Sequence, residues 1–348
     1  MVKLEPPRFG NLLPVPAAPV GKLLKIAVRS EEAGFDSIWV SDHLLMVPRG
    51  LVPNALSLLS AAAALTRKVL LGTAVSDVHR YHPAVLAQVA ATIDHISGGR
   101  FILGLGAGEA MNLDPFGIPH GKPVSRTSEA IRVMRSLWAG DIVDREGPFW
   151  SLRHAFLQIR PLKGKIPIFL GANSPRTRRL AGRLADGWLP TPRTPELYRE
   201  HLKDVLEGAR EVGRDPGEVE KALYVYTAVA EEPEEAYAAL RRFGSVIAQS
   251  PDLLREAGFD VEVPEEPPPY HEILLDSEGE LLFEEFGQHI PTEALVEFSI
   301  AGTVDDCIAK IEAFLEAGVE HFILINAGPD ARYVFQAYRD KIIPYFRG

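Results

Sequence analysis

Ser41-Asp42-His43 is the first group of residues in this chain that could carry out acid–base chemistry. An aspartate beside a histidine can fix the tautomer of the imidazole and raise its pKa, which suits proton transfer near neutral pH. Asp42 could equally cap a helix while His43 packs in a core, and the dipeptide alone leaves both interpretations open. Asp42 and His43 are therefore candidate catalytic residues.

A second candidate for acid–base chemistry is Glu109, which follows the run Gly104-Leu105-Gly106-Ala107-Gly108. The run is similar to the dinucleotide-binding fingerprint G-x-G-x-x-G but does not complete it, because Glu109 or Met111 stands where the last glycine is needed. A carboxylate there would also repel a pyrophosphate. We interpret Glu109 as a general acid or base, or as a polar anchor for a heterocycle.

Small residues also make up the segment Gly72-Thr73-Ala74-Val75-Ser76-Asp77. Such residues let a flat ligand approach the backbone, although an ordinary loop would have the same composition. His79 and His82 follow at a spacing that a metal site could use. No cysteine or acidic cluster completes such a site, and Pro83 at a helix start explains the local composition. We predict no metal site.

A possible anion site follows in the segment Gly171-Ala172-Asn173-Ser174-Pro175, which opens a predicted helix. A turn of small residues at a helix N-terminus presents N–H groups to an anion. The helix is basic in an otherwise acidic chain, with Arg176, Arg178, Arg179 and Arg183. The pattern favours phosphate binding here, and a capped helix with a solvated basic face is the alternative.

Each of these groups follows or ends a predicted strand, and the order of the elements predicts how they meet. Eight apolar or β-branched runs alternate with helical patterns, which favours a (β/α)8 TIM barrel over an open doubly wound sheet of about five to seven strands. Functional groups of such barrels lie at the C-terminal ends of the strands. The predicted strands cover residues 8–13, 37–40, 69–75, 101–105, 166–170, 187–189, 223–230 and 321–325. The predicted helices cover residues 23–34, 54–66, 83–96, 124–139, 176–184, 196–212, 232–243, 305–317 and 333–345.

One segment, residues 250–291, interrupts the alternation. Between residues 256 and 285 it holds eleven acidic residues and no lysine or arginine, and it contains Pro264, Pro267, Pro268 and Pro269. We interpret it as an insertion within a single domain spanning residues 1–348, because a strand and helix needed to close the barrel follow it. Insertions at this face often cover an active site, so a lid is predicted, with a solvated acidic excursion as the alternative.

Composition excludes several classes of protein. The chain has 348 residues, a formal net charge of −10 and 46% apolar residues, as an ordinary globular protein does. The acidic balance argues against a general nucleic-acid binder, and no apolar run is long enough for a membrane span. Cys307 is the single cysteine, which rules out an internal disulfide, and no signal pattern opens the chain. These features favour a cytoplasmic location.

Taken together in this order, the residues after the strands resemble the luciferase-like flavin and deazaflavin oxidoreductases. Within that superfamily the chain most resembles the branch that uses the 8-hydroxy-5-deazaflavin coenzyme F-420, which includes methylenetetrahydromethanopterin reductases, glucose-6-phosphate dehydrogenases and phthiodiolone ketoreductases. The segments that carry the resemblance are residues 32–43, 71–75, 106–112, 116–118, 122–124, 167–175, 186–188 and 298–303.

The resemblance implies roles for individual residues. Asp42 and His43 match the family's Asp-His pair, whose histidine lies near the deazaflavin ring, and Glu109 matches a proposed proton donor. Ala74 and Val75 match a non-prolyl cis peptide bond that bulges against the back face of the ring. The matching cofactor-binding positions are Asp42, His43, Thr73, Ala74, Val75, Gly106, Ala107, Gly108, Glu109, Asn112, Gly171, Ala172, Asn173, Ser174 and Arg176.

By this resemblance we expect an F-420-dependent oxidoreductase that moves a hydride to or from a small carbonyl, imine or alcohol, and a homodimer. The alternatives are an FMN-dependent monooxygenase, a flavin-binding protein without activity and a metal-dependent hydrolase. The chain departs from the sugar-phosphate dehydrogenases at Val47, where they carry a tryptophan, and no sugar-phosphate clamp can be identified. The 122–124 segment looks more like the reductases and ketoreductases.

Overall fold

The structure is a computed structural model that describes residues 6–47, 49–262 and 267–348. Within those ranges twelve strands occur: β1 (Arg8–Leu12), β2 (Ser37–Val40), β3 (Leu70–Thr73), β4 (Ser76–Asp77), β5 (Phe101–Gly106), β6 (Val143–Glu146), β7 (Ser151–Ala155), β8 (Ile168–Leu170), β9 (Gly187–Trp188), β10 (Glu220–Val229), β11 (Ile300–Gly302) and β12 (His321–Asn326). Eight of them, β1, β2, β3, β5, β8, β9, β10 and β12, pair in parallel around a closed ring. The predicted (β/α)8 barrel is confirmed.

Helices surround the ring. They are α1 (Val20–Glu32), α2 (Ala55–Leu65), α3 (Pro83–Ser97), α4 (Pro123–Ala139), α5 (Pro175–Leu184), α6 (Pro195–Glu211), α7 (Pro233–Leu240), α8 (Gly244–Ala248), α9 (Pro251–Glu256), α10 (Ser277–His289), α11 (Thr292–Glu297), α12 (Val304–Glu316), α13 (Ala331–Ala337) and α14 (Ile343–Arg347). The predicted helix 333–345 is interrupted by a π-helical stretch, Tyr338–Ile342, between α13 and α14. None of the helices in the described ranges combines the length and apolar character that crossing a bilayer requires.

Local sequence explains where several helices begin. The Asn54 side chain accepts a hydrogen bond from the Ser57 amide and starts α2, while Pro83 occupies the first turn of α3. Ser174 and Thr177 form a reciprocal capping box at α5. These caps satisfy amides that have no partner within the helix, which fixes the point where each strand-to-helix loop ends.

Packing follows the expected layers. Strands β2 and β5 are buried at every residue, as strands with both faces covered must be. Side chains from several strands fill the barrel interior, among them Trp39, Ile102 and Phe169. A larger apolar layer lies between the strands and the helices. The barrel interior is therefore a packed core.

Three strand predictions need correction. The predicted strand 69–75 divides into β3 and β4, because the peptide bond between Ala74 and Val75 is cis and interrupts the extended backbone. The cis bond itself is the one that the resemblance predicted. The antiparallel hairpin β6–β7 and the strand β11 were not predicted. β6 and β7 are largely exposed and polar, and β11 has only three residues, so neither gives an apolar strand pattern.

The segment predicted as an insertion is folded against the barrel. Its helix α10 buries Phe283 and Phe286, which pack in a second apolar core with Met111 and Tyr226. The segment is thus amphipathic, with acids outside and phenylalanines inside, and the solvated-excursion alternative does not describe it. Pro264, one of its four prolines, lies outside the described residues.

Candidate active site

A cavity of about 300 Å³ opens at the C-terminal end of the barrel strands. It lies between the loops after β2, β3, β5 and β8 on one side and β10 with the inserted segment on the other. Twelve of the residues that the sequence singled out line it: Asp42, His43, Ala74, Val75, Gly106, Ala107, Gly108, Glu109, Asn112, Gly171, Asn173 and Ser174. The barrel thus brings together residues that stand far apart in the sequence.

Three predicted binding residues do not line the cavity. Thr73 is fully buried, and its hydroxyl donates to the Gly104 carbonyl at 2.8 Å. Ala172 is also buried, and its carbonyl oxygen accepts the Trp188 indole N–H at 2.8 Å. Arg176 is exposed at the start of α5 and has no ion-pair partner in the described part of the chain. Thr73 and Ala172 therefore support the cavity walls instead of forming them.

Asp42 does not orient His43. Its carboxylate accepts a hydrogen bond from the Ser76 hydroxyl at 2.7 Å and lies 3.3 Å from the Arg80 guanidinium. Arg80 also pairs with Asp77, and these carboxylates keep the Arg80 pKa above its ordinary value against the opposing effect of burial. Two carboxylates thus surround one buried arginine. The cluster ties the loop after β2 to β4 and leaves no free positive charge.

His43 is instead held by Asn112 and Glu109. The Asn112 carbonyl oxygen accepts the amides of Leu44 and Leu45 at 2.7 and 2.8 Å, which fixes the backbone beyond His43. The Asn112 amide nitrogen lies 3.0 Å from a Glu109 carboxylate oxygen. That same oxygen lies 3.5 Å from His43 Nδ1. His43 Nε2 has no protein partner among the described residues, so it is the nitrogen available to a ligand.

One wall of the cavity is flat backbone. Ala74 and Val75, joined by the cis bond, face Gly106 and Gly108 across it. A Cβ on Gly106 would lie 2.5 Å from a Val75 methyl group, and Gly108 has a φ of +85°. Only glycine satisfies both positions without displacing its neighbours. The wall can accept a planar ring lying against main chain.

The opposite part of the cavity, which we name the turn end, consists of Gly171, Asn173, Ser174 and Thr191. Gly171 N–H and Ser174 N–H are used internally, by the Leu105 carbonyl and the Thr177 hydroxyl. The sequence predicted that this turn presents free amides to an anion, and at Gly171 and Ser174 that prediction is wrong because both amides already have partners. The amides of Ala172 and Asn173 have no partner within the described ranges and are the ones available to an anion.

Most of the basic face of α5 is already neutralised. Arg178 pairs with Asp204 at 2.8 Å, Arg179 pairs with Glu207 at 2.9 Å, and Arg183 pairs with Glu211, all on α6. Arg178 also donates to the Asn173 carbonyl at 2.6 Å. These arginines hold α5 to α6, and only Arg176 among the four predicted ones is left for a solvent-side anion.

Arg193, which the sequence analysis missed, supplies the positive charge at the turn end. It is 2% exposed and donates to Asn173 Oδ1 at 3.1 Å and to the Thr191 hydroxyl at 3.0 Å. Its Nε donates to His201 Nδ1 at 3.2 Å, and His201 Nε2 contacts Glu256 of α9 at 2.8 Å. Burial lowers the Arg193 pKa to about 9, so it remains cationic at neutral pH without a carboxylate in contact.

The sequence analysis also missed the other part of the cavity, which we name the tyrosine end. It consists of Tyr224 and Tyr226 of β10, Gln249, and Tyr270 and His271 of the inserted segment. Burial raises the Tyr224 pKa to about 12, and the nearby Ser41 side chain partly opposes this shift. Burial also raises the pKa values of Tyr226 and Tyr270. All three phenols therefore stay protonated near neutral pH.

The sequence does contain a signal for the residues that were missed, the tyrosines of β10 and Arg193. Tyr224 and Tyr226 stand two apart within a predicted strand, so they share one face of the barrel. Arg193 comes in the loop after the predicted strand at 187–189, where the same rule would place functional residues. No sequence pattern indicates the strand pairing of β10. It pairs with β9 at its start and with β11 at its end.

No metal site is evident within the described ranges, because no three histidine, cysteine, aspartate or glutamate side chains come together to hold an ion. His79 Nε2 lies 2.9 Å from the Ala107 carbonyl, whereas His82 caps α3 through the Ala84 amide. The two histidines thus serve different parts of the fold.

The family model for luciferase-like monooxygenases matches residues 5–321 of the chain. This chain belongs to the luciferase-like monooxygenase family. It is 33% identical to the F-420-dependent glucose-6-phosphate dehydrogenase of Microbacterium testaceum, with 98% of each chain covered. It is 31% identical to the 5,10-methylenetetrahydromethanopterin reductase of Methanolobus tindarius over 94% of this chain and 98% of the relative.

A solved structure agrees with these relatives. An F-420-dependent secondary alcohol dehydrogenase in complex with an F-420–acetone adduct superposes with a TM-score of 0.85 and 27% identity. The match covers 99% of this chain and 100% of that one. The fold and the family are therefore established along the whole chain.

Proposed function

We propose that this chain is a coenzyme F-420-dependent oxidoreductase that transfers a hydride between the deazaflavin and a small organic substrate. Relatives that match nearly the whole chain are F-420-dependent dehydrogenases and reductases. The observation that carries the proposal is one continuous cavity, with an available histidine beside a backbone wall and a buried cation, Arg193, behind Asn173 at the far end. These are the features that a planar ring with an anionic tail requires.

The residues present fit that coenzyme. The missing Cβ of Gly106 makes room for the Val75 side chain, so that Ala74, Val75, Gly106 and Gly108 form one wall, and the cavity in front of it can take a planar ring. The turn end has unpartnered amides, and Arg193 stands behind Asn173 without a carboxylate in contact. An anion there would gain charge-assisted hydrogen bonds that neutral ligands would not. FMN would have to use the same wall, and no feature of the cavity favours it.

F-420 would supply a ring carbon that accepts or donates a hydride, and the protein must place the substrate, exclude water and manage one proton. His43 Nε2 is the nitrogen placed to exchange that proton, because Nδ1 is surrounded by Asn112, Glu109 and the Leu45 carbonyl. Glu109 stabilises a protonated imidazole through the contact at 3.5 Å. We therefore assign proton transfer to His43 and electrostatic support to Glu109.

We further propose that the inserted segment acts as a lid, as its composition predicted. Tyr270 and His271 line the cavity, so the segment already closes one side of it. Arg49 of the loop after β2 holds the segment through Glu280 at 2.7 Å, and Glu256 holds it through His201. Both links are polar and partly exposed, which suits a cover that opens for cofactor entry.

Titration of the purified protein with F-420, with the tail-free deazaflavin and with FMN tests the proposal. We expect F-420 to bind at least about tenfold more tightly than the tail-free compound, because the turn end contributes only to the tailed cofactor. FMN should bind more weakly than F-420. Tighter binding of FMN, with reoxidation of its reduced form by air, would contradict the proposal and support the monooxygenase alternative.

A further inference from the structure

The substrate half of the cavity lacks a cation. The side chains at the tyrosine end and its border are phenols, an amide, an imidazole and the apolar Met46, Val47 and Val246. Among the described residues, Arg80 is the only arginine that lines the cavity, and it is buried between Asp42 and Asp77. Two carboxylates thus share one guanidinium, and the cluster carries a net negative charge.

The inserted segment, which contributes Tyr270 and His271 to this end of the cavity, is strongly acidic in sequence. Eleven acidic residues and no lysine or arginine occur between residues 256 and 285. A phosphorylated sugar would have to place a dianion under this segment without a counter-charge. Burial of an anion without a counter-charge is strongly unfavourable, so the negative charge of this end and the missing sugar-phosphate clamp both disfavour such a substrate.

The same end is suited to an uncharged oxygen. The Tyr224 hydroxyl is buried beside Ser41, and the proximity of Glu109 adds to the effect of burial in keeping it protonated. A protonated phenol can donate to a carbonyl oxygen, while the apolar side chains bury the hydrocarbon substituents. His43 Nε2 is available for the proton of an alcohol.

From these observations we infer that the substrate is a small uncharged secondary alcohol, or the ketone that corresponds to it, and not a sugar phosphate. The inference rests on the proposed function. In the oxidation, the carbinol C–H bond breaks and its electron pair leaves as hydride to the oxidised deazaflavin. The O–H proton passes to His43 Nε2, a C=O bond forms, the alcohol is oxidised, and the cofactor is reduced. The ketone reduction follows these steps in reverse.

The test compares substrates on the wild-type protein loaded with F-420. The loss of the visible absorbance of oxidised F-420 is followed with propan-2-ol, butan-2-ol and cyclohexanol, and separately with glucose 6-phosphate. We expect kcat/KM for the best alcohol to exceed that for glucose 6-phosphate by about 100-fold or more, the ratio expected when a buried charge lacks its partner. Faster reduction with glucose 6-phosphate overturns the inference.

Two variants sharpen the result. Tyr224→Phe should lower kcat/KM for the alcohol about 10-fold or more, through loss of one hydrogen bond, and leave F-420 affinity unchanged. Tyr345→Phe, whose hydroxyl contacts Glu312 at the surface, is the matched control and should change neither. His271→Lys places a cation at the exposed edge of the tyrosine end and should shift the preference toward glucose 6-phosphate.

Failure of the inference and failure of the proposed function give different results. If F-420 binds tightly and no alcohol in the panel reduces it, the substrate class is wrong and the cofactor assignment stands. If F-420 does not bind in a fluorescence titration, the proposed function is wrong and the inference falls with it. An unchanged kcat/KM in Tyr224→Phe contradicts the placement of the substrate oxygen.

Discussion

The turn end and the tyrosine end of the cavity differ in whether main chain or side chains form them. The turn end is made of main chain and of arginines that are buried behind it, with Arg178 and Arg193 both bonded to Asn173. The tyrosine end is made of side chains from β10 and the inserted segment, under an acidic surface. The first end can hold an anion in a fixed place, whereas the second accepts an uncharged group. One cavity can therefore orient an anionic cofactor and still reject anionic substrates.

His43 stands between the two ends, and its removal should give the largest effect. His43→Ala should lower turnover about 100-fold or more, because His43 Nε2 is the nitrogen that we assign to exchange the substrate proton. F-420 affinity should change little, since the proposed site for the ring is the wall at Ala74 and Val75. Steady-state kinetics and a fluorescence titration measure the two quantities.

His289→Ala, at an exposed position in α10, is the control for His43→Ala and should behave as the wild type. Turnover within about twofold of the wild type in His43→Ala would remove the imidazole from the mechanism. A parallel loss of affinity would instead place His43 in cofactor binding.

Arg193→Met tests the turn end. We expect F-420 affinity to fall about 10- to 100-fold, because the positive charge behind Asn173 is lost, while affinity for the tail-free deazaflavin is unchanged. Arg193→Lys keeps the charge but not the fork of hydrogen bonds and should give an intermediate loss. The comparison of the two cofactors separates anion binding from a general disturbance of the fold.

Arg183→Met is the matched control, because Arg183 is an arginine of α5 that pairs with Glu211 at the surface. Its F-420 affinity should equal that of the wild type. Equal losses for both cofactors in Arg193→Met would show that Arg193 supports the whole cavity instead of its anionic end.

The smallest expected effect concerns His201, which joins the turn end to the inserted segment. Its Nδ1 accepts from Arg193, so it must be neutral, and burial accordingly lowers its pKa from the ordinary 6.5. Below about pH 6.5 the unfolded chain binds a proton that the folded chain does not, so this contribution to stability is lost as the pH falls. Above that pH the contribution is fully present.

Denaturant unfolding at several pH values measures this effect. The free energy of unfolding of the wild type should decrease as the pH falls through 6.5, and His201→Gln should show a shallower decrease. His79, whose pKa burial also lowers, should keep part of the slope in the variant. Identical slopes in the two proteins would contradict a neutral His201 in the fold.

Sequence alone determined the architecture and the half of the site that depends on local pattern. The alternation of apolar runs and helical periods predicted the barrel, and the rule that function follows barrel strands pointed to Asp42, His43, Glu109 and the turn 171–174, to which the family resemblance added Asn112. Small residues and their order carry this information locally, because a close backbone approach or a helix cap is a property of a few neighbouring residues.

Only the tertiary structure decided the partners of those residues. Asp42 and His43 are adjacent in the sequence, but in the fold they have different partners. Asp42 contacts Arg80 and Ser76. His43 contacts Glu109 and Asn112. The fold likewise connects three elements through His201 of α6, which contacts Arg193 of the loop after β9 on one side and Glu256 of α9 on the other. Asp42 and His43 lie in the loop beyond β2, where their side chains reach different neighbours, while side chains distant in sequence meet at the same end of the barrel.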